Sequence, residues 1–279
     1  ILALQQEDFA TAEPLLQRLL ERGDNSERNV AAYYLGQIAD DRGDSVAAIG
    51  YLRQVTAGEQ LIAAQIRVAQ LLLKQGGGMG AAREHLQTAA RRHPAGEMQF
   101  VLAEAQMLRD AGRDAEALEI LDRVLKQQPD QADVLYDAAM LAEKLGQVDV
   151  MERNLRRVMA LKPDNAHAYN ALGYTFADRN IRLDEARQLL DKALSLAPDD
   201  PFILDSMGWV LYRQGDLQGA LNHLQKAYGK KQDAEIAAHL GEVLWVLGRQ
   251  DDARVLWREA LKRHPGNAEL TAVIKKFLP

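Results

Sequence analysis

The sequence predicts an all-α solenoid built from antiparallel helix pairs. Two punctuation series and one apolar pattern carry that prediction. Glycines fall at Gly43, Gly77, Gly112, Gly146, Gly215 and Gly248, at steps of 34, 35, 34, 69 and 33 residues. Prolines fall at Pro94, Pro129, Pro163, Pro198 and Pro265, at steps of 35, 34, 35 and 67. Asn180 stands near the midpoint of the double glycine step, and asparagine is the next-best residue for a left-handed helix end. Between these marks, apolar residues recur every three or four positions, as one face of a helix requires. The unit is plainest from Asp200 to Tyr228. There Leu204, Met207, Gly208 and Leu211 share a face, Gly215 stops the helix, and Asp216 caps the next one. Ala220, Leu224 and Ala227 form the second apolar face. Two helices of this length cannot bury their faces alone, so the unit has to recur and stack.

Taken in order, residues 1–25 are expected to be a partial repeat: the second helix of a truncated pair, preceded by the tail of its partner. Pro14 falls in that helix's early turns, where a lost N–H matters least. Seven complete pairs follow over residues 29–266, starting near Asn29, Ala63, Met98, Ala132, Ala166, Pro201 and Ala234. Gly76, Gly77 and Gly78 widen one turn. No strand precedes them and no lysine follows in phosphate-loop register, so a loose helix junction is expected. Residues 267–279 are expected to close the stack. Leu270, Val273, Ile274 and Phe277 would cover the last pair while Lys275 and Lys276 face water. A single array over 1–279 is the expectation. It opens at Ile1 within a repeat, as a piece of a longer protein would.

Composition narrows the function. Hydrophobic residues make up 47% and charged residues 27% of the 279, with a formal net charge of −6. Lys230 and Lys231 are too short a basic run for a nucleic-acid footprint, so no nucleic-acid partner is expected. The chain has no cysteine, which removes disulfides and thiol chemistry. No apolar run approaches the roughly 18 residues of a membrane span.

Motifs for chemistry are missing. The six histidines are His85, His93, His167, His223, His239 and His264. None forms an H-E-x-x-H pair, and no G-x-S-x-G elbow is present. His93 and His264 each precede a repeat-ending proline. Acidic pairs such as Asp40-Asp41, Asp199-Asp200 and Asp251-Asp252 lie at expected helix ends, where they can cap backbone groups. The expectation is therefore a chain with no catalytic residues, no cofactor and no metal site.

The repeating pieces read Leu35-Gly36 with Ala48 and Leu52, then Ala82, Leu86 and Pro94, then Ala117, Leu121 and Pro129, then Leu155 and Pro163. Tyr169, Leu172, Gly173, Phe176, Ala186, Leu190 and Pro198 match most fully, with one extra residue in the inter-helix turn. Gly208, Ala220 and Leu224 follow, then Leu240, Gly241, Leu244, Ala253, Trp257 and Pro265. This pattern resembles the tetratricopeptide repeat over nearly the whole chain. The resemblance implies a right-handed superhelix whose first helices line a concave, protein-binding face. Carried over residue by residue, the early repeats offer Tyr33, Gln37, Arg67, Leu71, Lys74, Leu102, Gln106 and Arg109 to that face. The later ones offer Tyr136, Met140, His167, Asn170 and Tyr174, then Phe202, Asp205, Trp209, Tyr212, Arg213, Glu242 and Trp245. Trp209, Tyr212, Phe202 and Trp245 could form a continuous apolar strip edged by Asp205 and Arg213. The alternative is that some of these rings fill space between neighbouring first helices. Trp257 takes a core position. The spaced lysines, asparagines and arginine with which some members clamp a C-terminal carboxylate are not found.

The segments from Asn170 to Leu221 and from Ala237 to Ala253 are more specific than the repeat pattern. Asp205 to Arg213, DSMGWVLYR, is their marker. They resemble the C-terminal repeats of Gram-negative outer-membrane tetratricopeptide lipoproteins. Within that group they look most like the Pseudomonas adaptors of a carboxyl-terminal processing protease, which promote degradation of cell-wall hydrolases. The resemblance implies a periplasmic, outer-membrane-associated adaptor that binds the protease, its substrates or both, with a lipid anchor upstream. Related repeats in exopolysaccharide export, pilus and secretion assembly make a scaffold of that kind the alternative.

Overall fold

The computed structural model describes residues 9–278 and is helical throughout, with no strand among the described residues. The expectation for residues 1–8 lies outside them. The chain divides after Pro129 into two compact units.

In the first unit, helix α1 (Phe9–Arg22) contains Pro14 and packs on α2 (Asn25–Asp41). A reciprocal cap starts α2: the Asp24 carboxylate accepts from the Glu27 N–H, and the Glu27 carboxylate accepts from the Asp24 N–H, both at 2.9 Å. Helix α3 (Ser45–Leu52) is short, and an irregular loop follows it. Buried polar groups hold that loop. Asn29 Oδ1 accepts from the N–H groups of Thr56 and Ala57, and Gln65 donates to the Val55 carbonyl at 2.8 Å. Such bonds satisfy backbone groups that no helix can use. Helix α4 (Leu61–Leu72) passes through a single π turn at Leu73–Gly77 into α5 (Gly78–Arg92). The glycine run thus makes the loose junction expected of it. A 3₁₀ turn (Pro94–Gly96) leads to α6 (Glu97–Asp110), and α7 (Asp114–Gln127) ends the unit. Ala48, Leu52, Val55, Val68 and Leu71 form one core cluster, and Leu86, Phe100 and Met107 belong to the next.

The second unit is more regular. Its pairs are α8 (Ala132–Lys144) with α9 (Val148–Leu161), α10 (Ala166–Asp178) with α11 (Leu183–Leu196), α12 (Pro201–Arg213) with α13 (Leu217–Lys230), and α14 (Ala234–Val246) with α15 (Gln250–Arg263). Helix α16 (Ala268–Phe277) closes it. Side-chain caps from Asn165, Asp200, Asp216, Asp233 and Asn267 start five of these helices. Gly215 has a φ of 88°, which a Cβ would disfavour, and its N–H bonds the Tyr212 carbonyl at 3.0 Å to end α12. Asn180 takes the same left-handed role at the end of α10, with a φ of 54°. In three of these four pairs a glycine of the first helix faces a large side chain of the second; α8 carries no glycine. A Cβ on Gly173 would stand 2.7 Å from Leu190 Cγ, one on Gly208 2.6 Å from Leu224 Cγ, and one on Gly241 2.0 Å from Trp257 Nε1. The close approach expected at Gly208 is therefore a recurrent feature.

Successive first helices pack on one another: α10 on α12, α12 on α14, and α14 on α16. Each second helix packs on its own partner and on the next first helix. From α10 to α16 the first helices thus form one continuous layer, and the groove candidates from His167 to Trp245 lie on it. Lys275 and Lys276 are both exposed, as expected, and the Lys276 ammonium also pairs with the buried Glu242 carboxylate at 2.8 Å.

Candidate protein-binding groove

In the first unit, Tyr33, Gln37 and Arg67 line one cavity of about 580 Å³ together with Phe9, Tyr34, Asp41 and Gln70. Arg67 is held by ion pairing to Asp40 and by a bond to Gln70 Oε1 at 3.0 Å. Leu71 was expected beside them but is buried in the core, because the helix turns it toward α3. Lys74 lies in the π turn, and Leu102, Gln106 and Arg109 lie away from this cavity on α6.

The second unit holds the denser constellation. Tyr174 on α10, Asp205, Trp209, Tyr212 and Arg213 on α12, and Glu242 on α14 are brought into one layer. Two residues that the repeat register did not single out complete it: Glu235 and His239, both on α14. The imidazole Nδ1 of His239 faces the two Asp205 carboxylate oxygens at 3.1 and 3.0 Å. The Tyr174 hydroxyl donates to Glu235 Oε1. Trp209 stacks on the His239 ring at 4.0 Å between centroids and on Tyr212 at 5.1 Å. The Arg213 guanidinium lies 4.7 Å above the Trp209 ring and donates to the Asp178 carbonyl at 3.1 Å. Tyr212 donates to Glu242 Oε1 at 2.9 Å.

Burial sets the electrostatics of this layer. Desolvation, then the Glu235 carboxylate, raises the Tyr174 hydroxyl well above the ordinary tyrosine range. Tyr212 is pushed up to about 12 by burial and by Glu242. Burial also raises Glu235, against the opposing hydrogen bond from Tyr174. At His239 burial favours the neutral ring, but the charge and hydrogen bond of Asp205 outweigh it and the pKa rises.

The continuous aromatic strip does not form. Trp209 is 5% exposed, because the α14 helix lays His239 across its face. Trp245 belongs to a different cluster, with Trp257 at 5.9 Å and Phe277 at 5.7 Å, so the closing helix takes it. Phe202 is 41% exposed at the other end of α12, with the Lys231 ammonium 4.2 Å from its ring. Tyr212 and Arg213 are half-buried and remain accessible at the edge of the layer. Tyr136, Met140 and Asn170 are half-buried and His167 is exposed, all on first helices but apart from the cluster. A signal for Glu235 existed, since it holds the register in α14 that Phe202 holds in α12. His239 then follows four residues later on the same face.

Asp205, Glu235 and His239 each bring one donor atom to within 4.8 Å of the others. The expectation of no metal-ligand set rested on local motifs, and these three come from helices in successive pairs.

The tetratricopeptide repeat family model matches residues 1–61, 68–132, 136–201 and 206–268. A tetratricopeptide repeat-containing protein of Pseudomonas aeruginosa is 43% identical over 214 residues, which cover 77% of this chain and 36% of that protein. The cellulose synthase 2 operon protein C of Komagataeibacter xylinus is 26% identical over 237 residues, covering 78% of this chain and 18% of that one. The chain thus spans about a third or less of the length of these relatives. A solved tetratricopeptide repeat protein of Parabacteroides merdae superposes with a TM-score of 0.65 at 15% identity, covering 88% of this chain and 97% of that structure.

Proposed function

Because the chain belongs to the tetratricopeptide repeat family, we propose that it is a non-enzymatic scaffold that seats a protein partner on the first-helix layer of its second unit. More specifically, we propose a periplasmic, outer-membrane-associated lipoprotein adaptor. It would hold a carboxyl-terminal processing protease and promote degradation of the protease's cell-wall hydrolase substrates. The observation that carries the binding surface is the accessible edge formed by Tyr212 and Arg213 at the C-terminal end of α12, with Phe202 exposed at the N-terminal end of the same helix. There, rings with few rotatable bonds and a stacked guanidinium stand accessible on a layer fixed by packing. The 43% identity to the Pseudomonas protein and the DSMGWVLYR phrase support the adaptor reading. The similarity to the cellulose synthase operon protein favours a second reading, a scaffold in exopolysaccharide export.

Affinity capture from a periplasmic extract, read by mass spectrometry, separates the two. The protease and its substrates are expected with the wild-type chain. Binding of the purified protease should weaken by about 2 kcal/mol or more in a Phe202→Ala/Tyr212→Ala variant if these are central anchors. Unchanged affinity in a variant with wild-type circular dichroism would place the binding surface elsewhere. Capture of export-machinery proteins in place of the protease would favour the second reading.

A further inference from the structure

We infer that Asp205, Glu235 and His239 form a binding site for one divalent transition-metal ion, with zinc the best match. The ion would bridge the first helices of successive pairs. Each residue offers a donor atom within 4.8 Å of the other two, and all three are buried or half-buried. Glu235 and His239 are four apart on α14 and project from one face, while Asp205 comes from α12. Nδ1 of His239 already stands 3.0–3.1 Å from the Asp205 oxygens. Two donors on a tetrahedral ion with bonds of about 2.0–2.1 Å stand about 3.3 Å apart. Glu235 has only to close the remaining gap.

Charge argues in the same direction. Two carboxylates face one imidazole here, and among the described residues neither has a lysine or arginine partner. The cations that reach this layer are engaged elsewhere: Arg213 on Trp209 and the Asp178 carbonyl, Lys276 on Glu242. Buried charges are paired or coordinate metals. A divalent ion with neutral His239 balances both carboxylates. On binding, the proton shared between His239 and Asp205 leaves to solvent, and the Nδ1 lone pair takes its place on the metal.

The surroundings suit such a site. The Tyr174 hydroxyl holds one Glu235 oxygen and leaves the other for the ion, and the Trp209 stack fixes the imidazole plane. A set of imidazole and carboxylates without thiolate fits zinc, and cobalt(II) or manganese(II) as substitutes.

The test uses the whole chain, stripped with chelator at neutral pH. Cobalt(II) is titrated by visible absorption and zinc(II) by calorimetry. One site per chain is expected, with a d–d band that one equivalent of zinc abolishes. Affinity should fall at least about tenfold in Glu235→Gln, which keeps the length and the Tyr174 bond, and likewise in His239→Gln. His167→Gln and His264→Gln should leave it unchanged. If His239→Gln does not fold, Glu235→Gln and the wild-type spectrum still decide. A wild-type chain without a saturable cobalt band overturns the inference, as does unchanged affinity in Glu235→Gln. The cluster would then be a hydrogen-bonded contact only.

Discussion

Trp209 is wedged between His239, Tyr212 and Arg213, so it spends its surface within the layer and offers little to a partner. Its loss removes packing on every side. Trp209→Ala should therefore cost about 3–5 kcal/mol of stability, as large-to-small core changes do. The midpoint and slope of chemical denaturation check this. An unchanged midpoint would mean that the ring is not a packing element. The glycines that face second helices act in the opposite sense. At Gly241 a Cβ would stand 2.0 Å from the indole nitrogen of Trp257, which is itself buried. Relief requires Trp257 to shift within a cluster that also holds Trp245 and Phe277. Gly241→Ala should lower stability by about 1–3 kcal/mol through overpacking, with a red shift of tryptophan emission as the packed rings loosen.

At the scale of elements, charge ladders join the second helices of neighbouring pairs. Glu152 on α9 accepts from Arg182 at the start of α11 and from Arg156 on its own helix, and Arg156 also reaches Glu185. The Arg182 hydrogen bond, then that of Arg156, holds the Glu152 carboxyl below the usual range against the opposing effect of burial. A carboxyl whose pKa is depressed in the folded state contributes stability above its unfolded value, near about 4.3. That contribution is lost as pH falls through the folded value. Glu152→Gln should therefore be less stable than wild type at pH 7, and the difference should vanish in strong acid. Added salt should shrink it as well, because the arginines are largely exposed. Denaturation midpoints at several pH values check the sign; a difference that grows toward acid would contradict it.

For the molecule as a whole, the division after Pro129 has a direct consequence. Residues 130–279 contain four complete pairs, their own core and the closing helix. In a stack, stability is roughly a sum of pair terms and nearest-neighbour interfaces, so a stretch with intact neighbours and a covered end can stand alone. The fragment 130–279 is expected to be helical and to melt cooperatively. Thermal circular dichroism checks it, and a broad, non-cooperative melt would show that the second unit depends on the first.

The sequence by itself determined the period, the helix pairs, the caps at Asp200 and Asp216 and the small residues at close approaches. Those signals are local or strictly periodic: Asp200 caps α12 from one position away, and Gly173, Gly208 and Gly241 recur at the same place in successive repeats. Asp251 and Asp252, by contrast, fall within the first turn of α15 and make no cap. Only the tertiary structure decided which side chains meet between pairs. Asp205 and His239 are 34 residues apart, and Tyr174 and Glu235 are 61 apart. Whether they touch depends on the rotation and spacing of helices from different repeats. A step of one residue turns a side chain by about 100° around its axis. Register could therefore place Trp209 and Trp245 on equivalent faces of α12 and α14. It could not foresee that His239 would cover the first ring while Phe277 of the closing helix took the second.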